Sequence, residues 1–110
     1  MNINELFNIL TEKAAELTLD PELSAIVLFN LTGSEPAKWS GRVHDGRVGL
    51  NQGEPLDEPD ITVTAESDTA LAIYEKKLNP MMAFMTGKIK VKGDMSKVAL
   101  IKGLLTGGRK

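Results

Sequence analysis

Residues 79–95 read NPMMAFMTGKIKVKGDM, and they decide the fold because they hold successive start and stop signals. Asn79-Pro80 is typical of a helix start, a capping side chain followed by proline at the first helical position. The helix should end at Gly87, since glycine readily adopts the left-handed conformation that follows many helices. From Lys88 to Lys92, lysines alternate with apolar residues, which is the period of a strand. The stretch therefore predicts a short helix followed by a β-strand.

The short helix is apolar all round, because residues 81–85 include no polar side chain. A helix of this kind is buried on every side or lines a cavity. Four of the five methionines lie within residues 81–95, and unbranched thioether chains suit surfaces that accept varied apolar ligands. The alternative is that methionine fills an irregular core. Composition alone leaves both interpretations open.

The residues before this stretch predict one helix and four strands. An amphipathic stripe predicts a helix from Ile3 to Leu17. Short β-rich or alternating runs predict strands at residues 25–31, 38–43, around 48–50 and 61–65. Asp45-Gly46 is a type I′ turn signal, which sets His44 opposite Arg47 in a hairpin.

Two further helices complete the predicted order of elements. Ser67 is expected to cap a helix that includes Leu71, Tyr74 and Leu78, and a last helix is expected over residues 95–105. The order is helix, four strands, two helices, strand and helix. We therefore expect residues 1–110 to form a single α+β domain, with a mostly antiparallel five-stranded sheet covered by helices on one face.

Composition excludes several kinds of chemistry. The 110 residues contain no cysteine and one histidine, which excludes disulfides, a thiol nucleophile and a multi-histidine metal site. His44 beside Asp45 is interpreted as a surface turn residue, and the serines lie in no nucleophile motif. Aromatic and basic residues do not interleave as nucleic-acid binding requires. We expect no enzyme, no metal, no cofactor and no nucleic-acid partner.

Charged residues are divided unevenly along the chain, although the formal net charge is −2. Residues 1–75 hold four basic and fourteen acidic residues, whereas residues 76–110 hold nine basic residues and one acidic residue. This asymmetry indicates an anionic partner for the basic part. The alternative is that the lysines only keep an apolar segment in solution.

Three of these lysines, Lys88, Lys90 and Lys92, are expected to project from one face of their strand while the other face enters the core. One interpretation is edge protection, since outward lysines discourage strand-to-strand aggregation. The other is a docking surface for anionic lipid head groups or acyl-CoA phosphates, assisted by Lys97 on the next helix. The second interpretation predicts transient contact with an anionic membrane surface.

Residues 59–105 resemble the sterol carrier protein 2 (SCP2) family of lipid-binding domains. The resemblance lies in DITVT at residues 60–64, Asp68 with Leu71-Ala72, LNP at 78–80 and AFMTGKIKVKGDM at 83–95. The last block is the most specific part of the resemblance. It combines a short apolar helix that begins at a proline, a glycine-lysine pair, an alternating strand and Gly93-Asp94 before the final helix. The best-known members carry glutamine where this chain has Thr86.

The resemblance implies an apolar tunnel between sheet and helices that binds fatty acids, fatty acyl-CoA esters or sterol-like molecules. The implied lining consists of apolar and aromatic side chains, Leu71, Tyr74, Met81, Met82, Phe84, Met85, Ile89, Met95, Val98, Trp39 and Leu105. The function expected is non-enzymatic binding and carriage of lipid; the alternative is an accessory subunit that presents a lipid or quinone-like intermediate to a partner enzyme. We expect a monomer or weak homodimer. We also expect a cytoplasmic protein, since the chain shows no signal peptide, membrane span or peroxisomal tail.

Overall fold

The structure is a computed structural model that describes residues 1–18 and 21–94. These residues form three helices and five strands in the predicted order: α1 (Ile3–Ala15), β1 (Ala25–Thr32), β2 (Ala37–His44), β3 (Arg47–Gln52), β4 (Ile61–Glu66), α2 (Ser67–Tyr74), α3 (Pro80–Met85) and β5 (Ile89–Gly93). The α+β class is confirmed. The predicted last helix, residues 95–105, lies outside the described residues.

The five strands form one mixed sheet in the order β3-β2-β1-β4-β5. Three neighbouring pairs are antiparallel, which confirms a mostly antiparallel sheet, but β1 and β4 run parallel. The β2–β3 hairpin occupies one side of β1, so β4 must join the other side after the long loop of residues 53–60. β5 therefore lies at an edge of the sheet.

The predicted hairpin turn and its register are confirmed. Asp45 and Gly46 have φ angles of 54° and 78°, as the two central residues of a type I′ turn require. His44 lies opposite Arg47 in the β2–β3 ladder. This hairpin positions Trp39 and its neighbours on one face of the sheet.

One face of the sheet carries the apolar core, and all three helices pack on it. The alternation of each strand places Val27, Ile61 and Ile89 on this face, where they are buried. Phe7 of α1 stacks on Trp39, with ring centroids 4.7 Å apart and an interplanar angle of 11°. The opposite face carries polar residues, Asn30, Ser40, Thr62, Thr64, Lys90 and Lys92.

The predicted capping role of Ser67 is wrong. Glu66 is the N-cap of α2, and Ser67 is a fully buried residue of the first turn. The Ser67 hydroxyl instead accepts a hydrogen bond from the backbone N–H of Glu35 at 3.1 Å. It therefore ties α2 to the β1–β2 turn, a distant contact that local sequence cannot reveal.

The predicted extent of α2 is also corrected, because the helix ends at Tyr74 and does not reach Leu78. Lys76 has a φ angle of 63°, in the left-handed region that ends helices. The backbone N–H groups of Lys77 and Leu78 then both point back to the carbonyl oxygen of Ala72, at 2.8 Å and 3.3 Å. The reversal directs the chain into α3.

Candidate functional site

Local hydrogen bonds hold α3 at its position beside β5. The Asn79 side chain accepts from the backbone N–H of Met81 at 2.8 Å, as its predicted capping role requires. At the other end, Gly87 has a φ angle of 80° and reverses the chain. The Lys88 N–H then donates to the carbonyl oxygen of Ala83 at 2.8 Å. The helix is thereby joined directly to the start of the edge strand.

Four of the six side chains of α3 are apolar and exposed. Ala83 is fully buried and forms the contact of the helix with the core. The exposed fractions are 44% for Met81, 54% for Met82, 37% for Phe84 and 74% for Met85. Burial on every side, one of the two predicted alternatives, is therefore wrong, because so short a helix meets the core on a single face. A group of exposed apolar side chains typically marks a binding surface.

The other predicted lining residues lie on neighbouring elements of the core face. Leu71 and Tyr74 on α2 are partly buried against the core, and Ile89 on β5 is buried. Met95, Val98 and Leu105 lie outside the described residues, as does Lys97. The described residues do not show the tunnel, so the tunnel and its lining stay predictions.

The aromatic surroundings of Trp39 carry no signal in the local sequence. Phe7 stacks on this indole and also contacts Phe29 edge-on, with centroids 5.9 Å apart and an interplanar angle of 61°. Trp39 is 6% exposed, and within residues 1–18 and 21–94 its Nε1 has no hydrogen-bond partner. Phe7 belongs to the amphipathic stripe of α1, but the position of the Phe7 ring against Trp39 depends on how the helix crosses the sheet.

Lys88, Lys90 and Lys92 are all exposed, and β5 is an edge strand. The prediction that Lys88 belongs to the strand is wrong, because β5 begins at Ile89 and Lys88 precedes it. Lys90 lies opposite Thr64 and Lys92 opposite Thr62, so both share the polar face of the sheet. None of the three makes an ion pair with the described residues, whereas Lys38 on β2 pairs with Glu54 at 3.0 Å. Within the described residues, no ion pair compensates the charge of these lysines.

Two of these lysines border an open cleft of about 380 Å³ at the end of β4 where α2 begins. Its lining is mainly polar and comprises Thr32, Thr64, Ala65, Glu66, Thr69, Gly87, Lys88 and Lys90. The cleft brings together hydroxyl groups from β1, β4 and α2 that no single stretch of sequence places side by side. It offers hydroxyl groups, the ammonium groups of Lys88 and Lys90 and the carboxylate of Glu66 beside the C-terminal end of α3.

The hydroxyl group of Thr86 is engaged within its own helix. Its Oγ1 donates to the carbonyl oxygen of Met82 at 2.8 Å and lies 3.4 Å from that of Ala83. Both carbonyl groups also accept backbone N–H groups, that of Thr86 on Met82 and that of Lys88 on Ala83, so the hydroxyl adds a further donor at the end of α3. Thr86 therefore caps the helix here.

Neither a metal centre nor a membrane-spanning helix is found in the part of the chain that the structure describes. No three acidic or histidine side chains there come close enough together to hold a metal ion. No helix there is long and apolar enough to cross a bilayer.

The layered fold, with an exposed apolar helix beside a lysine-bearing edge, defines a small lipid-binding domain. The chain belongs to the SCP-2 sterol transfer family, whose model matches residues 3–106. The resemblance seen in the sequence is thereby confirmed.

Known relatives agree with this assignment. The chain is 38% identical over 85 residues to the fatty acid-binding protein of Yarrowia lipolytica, covering 74% of this chain and 66% of that protein. It is 32% identical over 99 residues to hydroxysteroid dehydrogenase-like protein 2 of Xenopus tropicalis, covering 86% of this chain but only 24% of that protein. The chain thus spans about a quarter of the length of the latter relative.

The fold itself is shared with a solved structure, the palmitated SCP2L2 of Aedes aegypti. The two superpose with a TM-score of 0.78 at 24% identity, over 96% of this chain and 95% of the other. This likeness supports the α+β arrangement of sheet and helices.

Proposed function

We propose that this domain binds one apolar lipid, a fatty acid, a fatty acyl-CoA or a sterol-like molecule, and carries it without chemical change. The observation that carries the proposal is the exposed apolar face of α3 in a chain of the SCP-2 sterol transfer family. The Yarrowia relative, named a fatty acid-binding protein, supports an acyl ligand. Methionine-rich surfaces adapt to ligands of different shape, which suits a carrier.

The proposed binding region lies between α3, α2 and the core face of β5. The partly buried Leu71 and Tyr74 and the buried Ile89 supply apolar surface there, and Phe84 supplies an aromatic ring. An acyl chain that displaced water from this surface would gain about 0.8 kcal/mol for each buried methylene. The gain for roughly fourteen methylenes, less the cost of ordering the chain, corresponds to micromolar affinity.

Carriage without catalysis is supported by the side chains themselves. His44 Nε2 lies 3.1 Å from Asp45 Oδ2, but both side chains are exposed at the tip of the β2–β3 hairpin. The β2–β3 hairpin lies at one side of the sheet, whereas α3 packs beside β5 at the other side. The pair is therefore explained by the turn and supplies no acid–base group to the proposed binding region.

The alternative function is presentation of a lipid or quinone-like intermediate to a partner enzyme. Comparison with the relatives named above does not favour it. Native mass spectrometry of freshly purified protein separates the two. We expect a co-purified lipid mass that unlabelled palmitate displaces. A stoichiometric foreign polypeptide with no lipid would instead support the accessory role and contradict autonomous carriage.

We also propose that Lys88, Lys90 and Lys92 dock the domain on anionic membranes. Each lysine close to an anionic bilayer contributes about 1 kcal/mol, so changing all three to Gln should weaken vesicle binding roughly a hundredfold at low salt. Sedimentation with phosphatidylserine-containing and neutral vesicles measures this. Binding of the unchanged protein should also weaken as salt shortens the screening length.

The matched control changes Lys13, Lys38 and Arg42 to Gln, which removes the same number of charges elsewhere. Lys38 and Arg42 pair with Glu54 and Asp57 at 3.0 Å and 3.9 Å, so their charges are already partly compensated. We expect this control to bind vesicles far better than the strand variant. Equal binding by the strand variant and the unchanged protein would mean that these lysines only protect the sheet edge.

A further inference from the structure

The polar cleft at the end of β4 lies where four elements meet. β4 and β5 run antiparallel with Ala65 opposite Ile89, so the end of β4 and the start of β5 lie at the same end of the sheet. The start of α2 and the end of α3 are joined directly to these strand ends. Ala65 lines the cleft, whereas Ile89 contributes to the proposed lipid-binding region. The cleft therefore adjoins that region.

Charged and polar side chains from different elements converge on this cleft. Its lining includes two ammonium groups, one carboxylate and three hydroxyl groups, those of Lys88, Lys90, Glu66, Thr32, Thr64 and Thr69. The three charged groups make no ion pair with one another or with any other described residue. Water can hydrate all these groups in the free protein, so the chemistry and position of the groups are what indicate the ligand.

The start of α2 adds further donors at the cleft. Thr69 belongs to the first turn of this helix, and its side chain is only 9% exposed although it lines the cleft. The N-cap residue Glu66 makes no side-chain hydrogen bond to the backbone N–H groups of that turn. Uncapped N–H groups at a helix start favour an anionic ligand. Together with the two lysines, they make phosphate oxygens suitable acceptors in this cleft.

We propose that the cleft binds the phosphate groups of a coenzyme A thioester whose acyl chain occupies the adjoining apolar region. This inference rests on the proposed function and selects the fatty acyl-CoA among its three ligand classes. The volume of about 380 Å³ lies in the range of small-molecule sites, so the cleft has room for more than a single carboxylate.

Glu66 supplies selectivity among anions. Its carboxylate repels a small anion such as inorganic phosphate, because like charges placed side by side are unfavourable. The coenzyme A group also carries amide N–H and hydroxyl groups, which can donate to that carboxylate. Both signs of charge in the lining thus favour a ligand that has phosphate oxygens and hydrogen-bond donors together. A free fatty acid lacks this combination, so the apolar region alone holds it.

The test compares lauroyl-CoA with S-ethyl thiolaurate, which has the same acyl chain and thioester but no phosphate. Both compete with a fluorescent fatty acid, in solutions without vesicles. Lauroyl-CoA should bind at least about ten times more tightly, since one hydrogen bond to a charged group is worth that much. Changing Lys88 and Lys90 together to Gln should remove this preference and leave the affinity for S-ethyl thiolaurate unchanged.

The matched control changes Lys77 and Lys92 to Gln, which removes two charges from residues that do not line the cleft. Lys92 lies on the same face of β5 as Lys90, so the control keeps the position on the sheet nearly constant. It should keep the preference for lauroyl-CoA. Thr69→Val removes a hydroxyl without changing any charge and should lower the preference about fivefold.

The outcomes separate this site from the proposed function. An unchanged preference in the Lys88 and Lys90 variant, or an equal loss in the control, would overturn the cleft as the phosphate site while lipid binding stands. Lauroyl lysophosphatidate tests a phospholipid head group as the source of phosphate. If its affinity depends on the two cleft lysines and that of lauroyl-CoA does not, the assignment to coenzyme A is wrong. Failure of both thioesters to displace the fluorescent fatty acid would overturn the proposed function as well.

Discussion

Replacement of Phe84 by Asp is expected to abolish lipid binding and to leave the domain folded. Phe84 is 37% exposed on α3, so the carboxylate can stay hydrated in the free protein. Binding of an acyl chain would remove the water around the carboxylate, which costs several kcal/mol for an ionised group. The acyl chain would also lose its contact with the Phe84 ring. Affinity for a fluorescent fatty acid should fall by more than a hundredfold. Competition titrations measure the affinity, and urea unfolding checks the fold.

Leu56→Asp is the matched control for this change. Leu56 is fully exposed in the loop between β3 and β4, so the same apolar-to-acidic change occurs away from α3. It should leave affinity unchanged. The titrations are repeated with an uncharged fluorescent ester, because an anionic ligand would also be repelled by the new carboxylate. A folded Phe84→Asp protein that binds the ester at full strength would place the binding region elsewhere.

The second large effect is expected at the end of β5, where Gly93→Ala should destabilise the domain by at least about 3 kcal/mol. Gly93 has a φ angle of 123°, and a Cβ atom there would collide with the carbonyl oxygen of Asp60. That oxygen also accepts the N–H of Asp94 at 2.9 Å, so the two backbones cannot separate without losing this bond. Urea unfolding followed by circular dichroism measures the change.

Gly53→Ala separates the collision from ordinary backbone strain. Gly53 has a φ angle of 101°, but no atom of the described residues lies within 4 Å of the position of its Cβ. We expect it to cost about 1–2 kcal/mol, the usual range for a strained backbone conformation. If Gly93→Ala costs no more than Gly53→Ala, close approach of the Asp60 backbone does not determine the stability of β5.

Elements whose start, stop and turn signals are local could be predicted from the sequence. The capping side chain of Asn79, with Pro80 and then Gly87, correctly set both ends of α3. Asp45-Gly46 correctly set the hairpin and its register, because a two-residue loop leaves one pairing in phase. The alternation of β5 correctly placed Lys90 and Lys92 on the face opposite the core. Each of these features depends on residues a few positions apart.

Features that depend on which elements become neighbours could not be predicted from local sequence. The parallel pairing of β1 with β4 and the hydrogen bond from Glu35 to Ser67 each join residues about thirty or more positions apart. The edge position of β5 follows from such a pairing. The same holds for the stacking of Phe7 of α1 on the Trp39 indole, whose Nε1 has no acceptor among the described residues. Periodicity shows which face of an element is apolar, whereas packing of the whole chain decides what that face meets and which polar atoms are left without a partner.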